Sequence, residues 1–348
     1  MISYQTTTFG APLIEVESKT PEPQGTEVLI KTMACGVCHS DIHMHEGVFD
    51  LGGGKQLEVG REGMVLGHEI FGEVIALGPD AEDAEDAEIG DRRVIFPWIG
   101  CGECAACKRG DEQLCTPGCA LGIAHAGGFA DYVLVPHSRY LFDKGDVPDS
   151  LAATYACSGL TAYGALKKIG ELHEGDDIVI IGAGGVGMMA IQIARALGMD
   201  PIVVDIDEDK LRAVRALGVN RVYNSSELQT AKEIRKATGG AYAALDFVGA
   251  EASVSYGLSC LRKGGMLIVV GLYGGSLTIP IPFIPMNARI IQGSYVGGLE
   301  DMGELMAMVR QGKIAPIEIT ERPLKEANQA LIDLKAGNVC GRQVLVNV

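Results

Sequence analysis

Four β-branched residues in a row, Ile178-Val179-Ile180-Ile181, open directly into Gly182-Ala183-Gly184-Gly185-Val186-Gly187. Apolar side chains then recur at Val186, Met189, Ala190, Ile193, Ala194 and Leu197, the three/four spacing of one helix face. The pattern predicts strand, glycine turn and helix. A second strand is expected at Pro201-Ile202-Val203-Val204-Asp205, a helix marked by Leu211, Val214 and Leu217, and a short strand at Val222-Tyr223. Another round follows, with a strand at Ala244–Gly249 and a helix from Ala252 to Leu261. Gly265 to Leu272 is apolar throughout, as a parallel strand buried on both faces requires. Ile279 to Asn287, rich in proline, reads as an edge or interface segment, Asp301 to Gln311 as a helix, and Gln343 to Val348 as a strand returning to the first domain. Repeated βα units imply an α/β fold with a doubly wound parallel sheet.

The first 150 residues are patterned differently. Strands are expected at Glu27–Thr32, at Ile70–Leu77 with an interruption at Gly72, at Arg93–Phe96, and at Tyr132–Val135 after a glycine turn. Between them lie a short polar loop with His43 and His45, a Gly-rich loop from Leu51 to Gly63, and an acidic run from Asp80 to Asp91. The acidic run reads as a solvated loop in preference to a docking surface for a basic partner. Tyr140 to Pro148 is a polar connector, and Ala152 to Leu166 is a helix that carries Cys157 and loosens at Ser158-Gly159.

Length and charge narrow the picture. The 348 residues suffice for two domains with substantial cores. A net charge of −16 argues against nucleic acid or an anionic membrane as partner, since phosphate binding needs clustered Lys and Arg. No apolar run approaches the ~20 residues of a membrane span. Met1 to Gly10 has neither the basic start nor the apolar core of a signal peptide, so the expected compartment is the cytoplasm. Ten cysteines there point to thiolate–metal chemistry before disulfides.

The candidate chemistry falls in three places. At the fingerprint, Gly182 allows the tight turn, Gly184 lets the backbone approach a pyrophosphate, and Gly187 lets helix pack on strand, with Gly185 and Val186 opening the helix whose N-terminus favours the phosphates. Asp205, roughly 20 residues on, is placed to accept from ribose hydroxyls, and the acidity of Asp207-Glu208-Asp209 favours NAD over NADP. Cys101, Cys104, Cys107 and Cys115 form C-x2-C-x2-C-x7-C in a lobe with little to bury, which fits a closed structural zinc site. An iron–sulfur cluster is the chemical rival, and Cys119 looks like a spare. Cys35 and Cys38 form a C-x-x-C that could be a redox pair, half of a zinc site or two unrelated thiols, and His68-Glu69 is uninformative by itself.

In their order, Gly36-Val37-Cys38-His39-Ser40-Asp41, Gly67-His68-Glu69, the cysteine lobe, Cys157-Ser158-Gly159-Leu160-Thr161, the Gly182–Gly187 loop and Gly341-Arg342-Gln343-Val344-Leu345 resemble the zinc-dependent medium-chain alcohol dehydrogenases over nearly the whole chain. The segment around Pro97-Trp98 and the C-terminal motif are most similar to the bacterial and archaeal tetrameric branch. The resemblance implies a mainly β GroES-like catalytic domain at 1–153 with a zinc lobe at 97–119, a Rossmann NAD-binding domain at 154–295, and a return to the catalytic domain at 296–348. It implies Cys38, His68 and Cys157 as catalytic zinc ligands with a fourth position open, Asp41 orienting His68, and Glu69 behind the metal, while Cys35 falls outside the set. A proton would leave through Ser40, the nicotinamide ribose and His43. Arg342 would pair with the pyrophosphate, Asp205 and Lys210 would flank the adenosine ribose, Thr161 would lie against the nicotinamide, and Val270 and Leu272 would complete the cofactor site.

The implied activity is hydride transfer between NAD and a hydrophobic, including aromatic, primary or secondary alcohol or its aldehyde or ketone, in a homotetramer with two zinc ions per chain. A polyol, amino alcohol or hydroxyacyl-CoA dehydrogenase of the same family is the nearer alternative, and a non-catalytic nucleotide or zinc binder the farther one. The loop at 51–64 and the acidic run stand outside the shared pattern, so substrate identity does not transfer. Trp98 and Phe49 could line an apolar pocket or simply pack.

Overall fold

Strands covered on both faces need apolar residues at every position, and the second half of the chain supplies them. In the computed structural model, which describes residues 1–81, 87–116, 118–227 and 229–347, six strands form one parallel sheet whose inner strands are of this kind. Their order is Val222–Asn224, Ile202–Asp205, Ile178–Ile181, Ala241–Asp246, Leu261–Val269 and Ile290–Gly293. Numbered by sequence this is 3-2-1-4-5-6, the doubly wound arrangement, with the fingerprint strand at the point where the order reverses. Val179, Ile181, Val204, Leu258 and Leu267 are among the core side chains.

Two expectations in this unit need correction. The segment Ile279 to Asn287 is not the sheet edge: it contains a short helix, Phe283–Asn287, and the edge strand is Ile290–Gly293, paired with Leu261–Val269. Pro280, Pro282 and Pro285 remove the N–H groups a ladder would need. The apolar run expected to pair as far as Leu272 leaves the sheet after Val269. There Gly271 packs on backbone, and a Cβ on it would lie 2.1 Å from the Val248 carbonyl carbon.

The other unit is built on a mainly antiparallel sheet in the order Ile319–Pro323, Arg342–Val346, Val28–Gly36, Glu69–Leu77, Arg92–Ile95 and Leu141–Asp143, with Tyr132–Val135 also paired to Val28–Gly36. The last strand of the chain thus lies beside Val28–Gly36, with Val344 opposite Gly36. Gly72 does not interrupt its strand. It is the point where the irregular neighbouring strand passes, and a Cβ there would sit 2.4 Å from the Lys31 carbonyl.

Four local readings also change. His43 and His45 lie on a helix, His39–Glu46, not in a loop. The expected loop from Leu51 starts as a hairpin, Val48–Gly52 with Lys55–Glu58. The expected connector after Tyr140 contains the strand Leu141–Asp143. The helix expected from Ala152 is three pieces: Asp149–Thr154, a wider π turn at Tyr155–Gly159, and Leu160–Lys167.

The chain divides into one unit of 1–49, 58–160 and 298–348 and a second of 50–57 and 161–297. The π turn belongs to the first unit, where it packs against Glu69–Leu77. Of the acidic run, Glu82 to Asp86 lie outside the described residues. Among the described residues no helix is long and apolar enough to cross a membrane.

Candidate metal centres and cofactor loop

Cys38 sits where the strand Val28–Gly36 gives way to the helix His39–Glu46, as the residue capping that helix. His68 immediately precedes Glu69–Leu77, and Cys157 is at the middle of the π turn. Such turns recur at functional sites, because one extra residue displaces a side chain from the regular helix face. The two sulfurs and an imidazole nitrogen lie within 4.8 Å of one another, and all three residues are buried. Neither ring nitrogen of His68 makes a well-formed hydrogen bond among the described residues. A buried polar atom left so is costly, and a metal ion would satisfy it.

The two buried thiols are electrostatically linked. A hydrogen bond from Cys157 holds Cys38 well below the ordinary thiol value against burial, and that bond together with burial pushes Cys157 well above it. For His68, burial opposes the charge, but Asp41 and Cys38 raise it well above the usual imidazole value. Two cysteines and an imidazole form a donor set that loses its protons when a divalent cation binds.

Asp41 is fully buried and holds three groups. Oδ1 lies 3.3 Å from His68 Nδ1 and accepts from Gly67 N at 3.1 Å, while Oδ2 accepts from Cys38 N at 2.8 Å. Glu69 is also fully buried. Its Oε1 accepts from Ser158 N at 3.1 Å, next to Cys157, and its Oε2 pairs with the Arg342 guanidinium. Burial raises the Glu69 carboxyl although the adjacent guanidinium works the other way. Gly36 makes this possible: a Cβ there would lie 1.9 Å from Glu69 Oε2. Nothing in the local sequence signals that requirement.

Ser40 and His43 are three residues apart on the helix His39–Glu46, and both are partly buried. The His43 ring stacks on Phe49 at 4.2 Å, and burial lowers its pKa from 6.5. Trp98, 4% exposed, packs with its ring 5.4 Å from that of His68. Cys35 is buried, and its thiol is pushed well above the ordinary value by burial.

The second cluster is Cys101, Cys104, Cys107 and Cys115. Sulfur–sulfur distances are 3.5 Å for Cys104–Cys107, 3.9 Å for Cys104–Cys115 and 4.0 Å for Cys101–Cys107. A zinc tetrahedron with bonds of about 2.3 Å has edges of about 3.8 Å, so the donor set fits. Backbone N–H groups hold Cys101 down to about 6, whereas Cys115 stands at about 12, burial and its three neighbouring thiols outweighing the one N–H it accepts. Glu112, which sequence reasoning passed over, fastens the lobe: Oε2 accepts from Gly100 N at 3.0 Å and from Tyr140 OH at 2.7 Å, and Oε1 pairs with Arg139 at 2.9 Å.

In the second unit the fingerprint glycines differ in what surrounds them. Gly182 has φ +93° and packs against Val248, and a Cβ on Gly187 would lie 1.8 Å from the Gly182 carbonyl oxygen. At Gly184 a Cβ would meet nothing within 4 Å. Two glycines serve packing, and the third leaves open space before the helix Gly185–Ala196, which Val186 continues. The amides there are a ready anion site. Asp205 ends its strand and accepts from Ala183 N at 2.6 Å and Asp207 N at 2.9 Å. Lys210 lies in the first turn of the next helix with Nζ 3.8 Å from Asp207. Thr161 is partly buried in the helix Leu160–Lys167, Val270 is buried, and Leu272 is half exposed. Asp246, not singled out from the sequence, is buried at a strand end and accepts from Val248 N, Gly249 N and Ser253 Oγ.

Residues 24–146 match the alcohol dehydrogenase GroES-like domain, and 185–311 the zinc-binding dehydrogenase domain. An NAD-dependent alcohol dehydrogenase of Sulfurisphaera tokodaii is 39% identical, with 97% of each chain covered. An alcohol dehydrogenase of Geobacillus stearothermophilus is 33% identical over 94% of each chain. Acetophenone reductase from Geotrichum candidum, solved in complex with NAD, superposes with a TM-score of 0.87 at 29% identity, covering 99% of this chain and 97% of the other. The alcohol dehydrogenase of Aeropyrum pernix also gives 0.87 at 29% identity, covering 99% of this chain and 100% of the other. With both domain models matched and relatives of this identity along nearly its whole length, the chain belongs to the zinc-dependent medium-chain alcohol dehydrogenases.

Proposed function

We propose that this NAD-dependent alcohol dehydrogenase interconverts hydrophobic primary or secondary alcohols, aromatic ones included, with their aldehydes or ketones. The observation that carries the reading is the buried Cys38, His68 and Cys157 set beside Ser40 and His43. Those three ligands would hold zinc with one position left for substrate, and when bound the metal supplies a Lewis acid that makes an alcohol proton easier to remove. Asp41 fixes the His68 ring, and Glu69 holds the turn of Cys157. Ser40 takes the proton first, and His43, neutral at pH 7 because burial lowers its pKa, receives it nearer the surface. The glycine loop and the carboxylate of Asp205 bind NAD and disfavour the extra phosphate of NADP, with Lys210, Thr161, Val270 and Leu272 assigned to the same cofactor. A phosphate-binding part for Arg342 belongs to the proposal as well, beside its ion pair with Glu69. The aromatic preference draws support from the fold shared with acetophenone reductase. Assembly as a homotetramer in the cytoplasm is part of the same reading.

The test is NAD reduction over a panel of alcohols. Benzyl alcohol, 1-phenylethanol and long aliphatic alcohols are expected to exceed polyols and charged hydroxy compounds in kcat/KM. Strong turnover of a polyol, amino alcohol or hydroxyacyl-CoA with none of benzyl alcohol overturns the substrate class and leaves the dehydrogenase.

A further inference from the structure

Trp98 touches two of the three ligand-bearing segments at once. Its indole N–H donates to the Ala156 carbonyl at 3.1 Å, one residue before Cys157, while its ring lies tilted against His68 with centroids 5.4 Å apart. The first contact falls inside the π turn. There the Leu160 N–H, which would close a regular helical turn on Ala156, donates instead to the Tyr155 and Cys157 carbonyls. The side chain of Trp98 supplies a donor to the carbonyl that the irregular turn bypasses. From the other flank, Ser158 N donates to Glu69. The turn holding Cys157 is therefore gripped on both sides, by Trp98 before it and by Glu69 after it.

The backbone under Trp98 is fixed too. Leu121 N donates to the Pro97 carbonyl at 3.0 Å and Cys119 N to the Ile99 carbonyl at 2.9 Å, Pro97 and Ile99 being the residues before and after Trp98 in the chain. Gly100 N donates to Glu112. The indole stands on a braced segment, 96% of its surface is excluded from water, and its one polar atom is used. An aromatic ring serving only as a pocket wall needs neither the N–H bond nor this bracing.

We infer that Trp98 is a positioning residue for the Cys38–His68–Cys157 centre, setting the spacing of Cys157 and His68 and thereby how firmly the site retains its metal. The inference rests on the reading of that centre as the zinc site and makes no use of the substrate class. Ligands held in place before binding lose less freedom when a metal arrives, so loosening one of them speeds its release.

The chain's single tryptophan makes the test clean. In Trp98→Phe the ring persists and the N–H is lost; in Trp98→Leu both go. Zinc release from the purified holoenzyme to a chromogenic chelator at pH 7 is followed beside thermal unfolding and total zinc per chain. Removing one buried hydrogen bond should accelerate release of one zinc about five- to tenfold in Trp98→Phe, with more in Trp98→Leu, while the slower zinc of the cysteine lobe is unaffected. The cobalt-substituted Trp98→Phe enzyme should show shifted d–d bands. If both variants release zinc at the parent rate with unaltered cobalt spectra, or if both zinc ions are lost in step with a lowered Tm, Trp98 is packing alone and the inference fails. If neither variant folds, the parent enzyme still decides it. Removing the faster zinc should shift Trp98 emission, and an emission spectrum indifferent to that zinc overturns the proposal.

Discussion

A fully buried carboxylate has to be paired or hydrogen-bonded, and Asp41 and Glu69 meet that demand by holding the ligand-bearing backbone. Asp41 accepts from Cys38 N and Gly67 N and faces His68; Glu69 accepts from Ser158 N. Gly36 is the silent partner. Replacing it by alanine drives a Cβ into Glu69 Oε2, which Arg342 and burial keep from moving away. Gly36→Ala should lose about 1–3 kcal/mol in denaturant unfolding and bind less than one equivalent of zinc at the catalytic set. A variant as stable and as metal-replete as the parent contradicts that account. For the proton path, burial lowers the His43 pKa, so the neutral acceptor persists below pH 6.5 and alcohol oxidation should fall only as pH drops through that lowered value. Ser40→Ala should reduce kcat by about 100-fold or more with NAD affinity nearly unchanged, and His43→Gln should remove the acid limb of the pH–rate profile. Full turnover in Ser40→Ala would exclude the path.

Elements carry the next level of explanation. The π turn Tyr155–Gly159 departs from the straight helix that its composition suggests, because Cys157 has to face the other ligands while Trp98 and Glu69 occupy the backbone groups around it. The cysteine lobe has almost no apolar interior; its order comes from four sulfurs at metal-binding spacing and from Glu112. Metal binding is folding energy for such a lobe. Cys107→Ser should remove one zinc per chain and destabilise the protein by more than about 2 kcal/mol, with residual activity at low temperature. Calorimetry showing an unshifted transition after loss of that zinc would remove the structural role. In the fingerprint, by contrast, sequence and structure coincide closely, because a βα turn makes only local demands: Gly182 takes the positive φ, Gly187 the close packing, and Gly184 the open space.

For the whole molecule, two donor sets on one chain predict two zinc ions per chain by metal analysis of the native enzyme. The catalytic set should release its zinc without unfolding, whereas the lobe should hold its zinc until it unfolds. A preparation that is fully active with a single zinc is the outcome that would refute this. The sequence by itself determined what depends on near neighbours. That includes the alternation of apolar strand and helix, the glycine turn with its acid some 20 residues on, and four cysteines close enough along the chain to meet in one lobe. Its likeness to a family also supplied a list of expected ligands. Only the tertiary structure decided that Cys38, His68 and Cys157 meet, since a strand end, a strand start and a π turn converge by sheet pairing and not by spacing. It also decided that the histidine loop is a helix, that Gly36 must lack a side chain, and that Trp98 reaches Ala156. The contacts of Gly36 with Glu69, Trp98 with Ala156 and Glu69 with Ser158 join residues 33 to 89 positions apart, where loop closure lets almost any pair meet and packing selects which do.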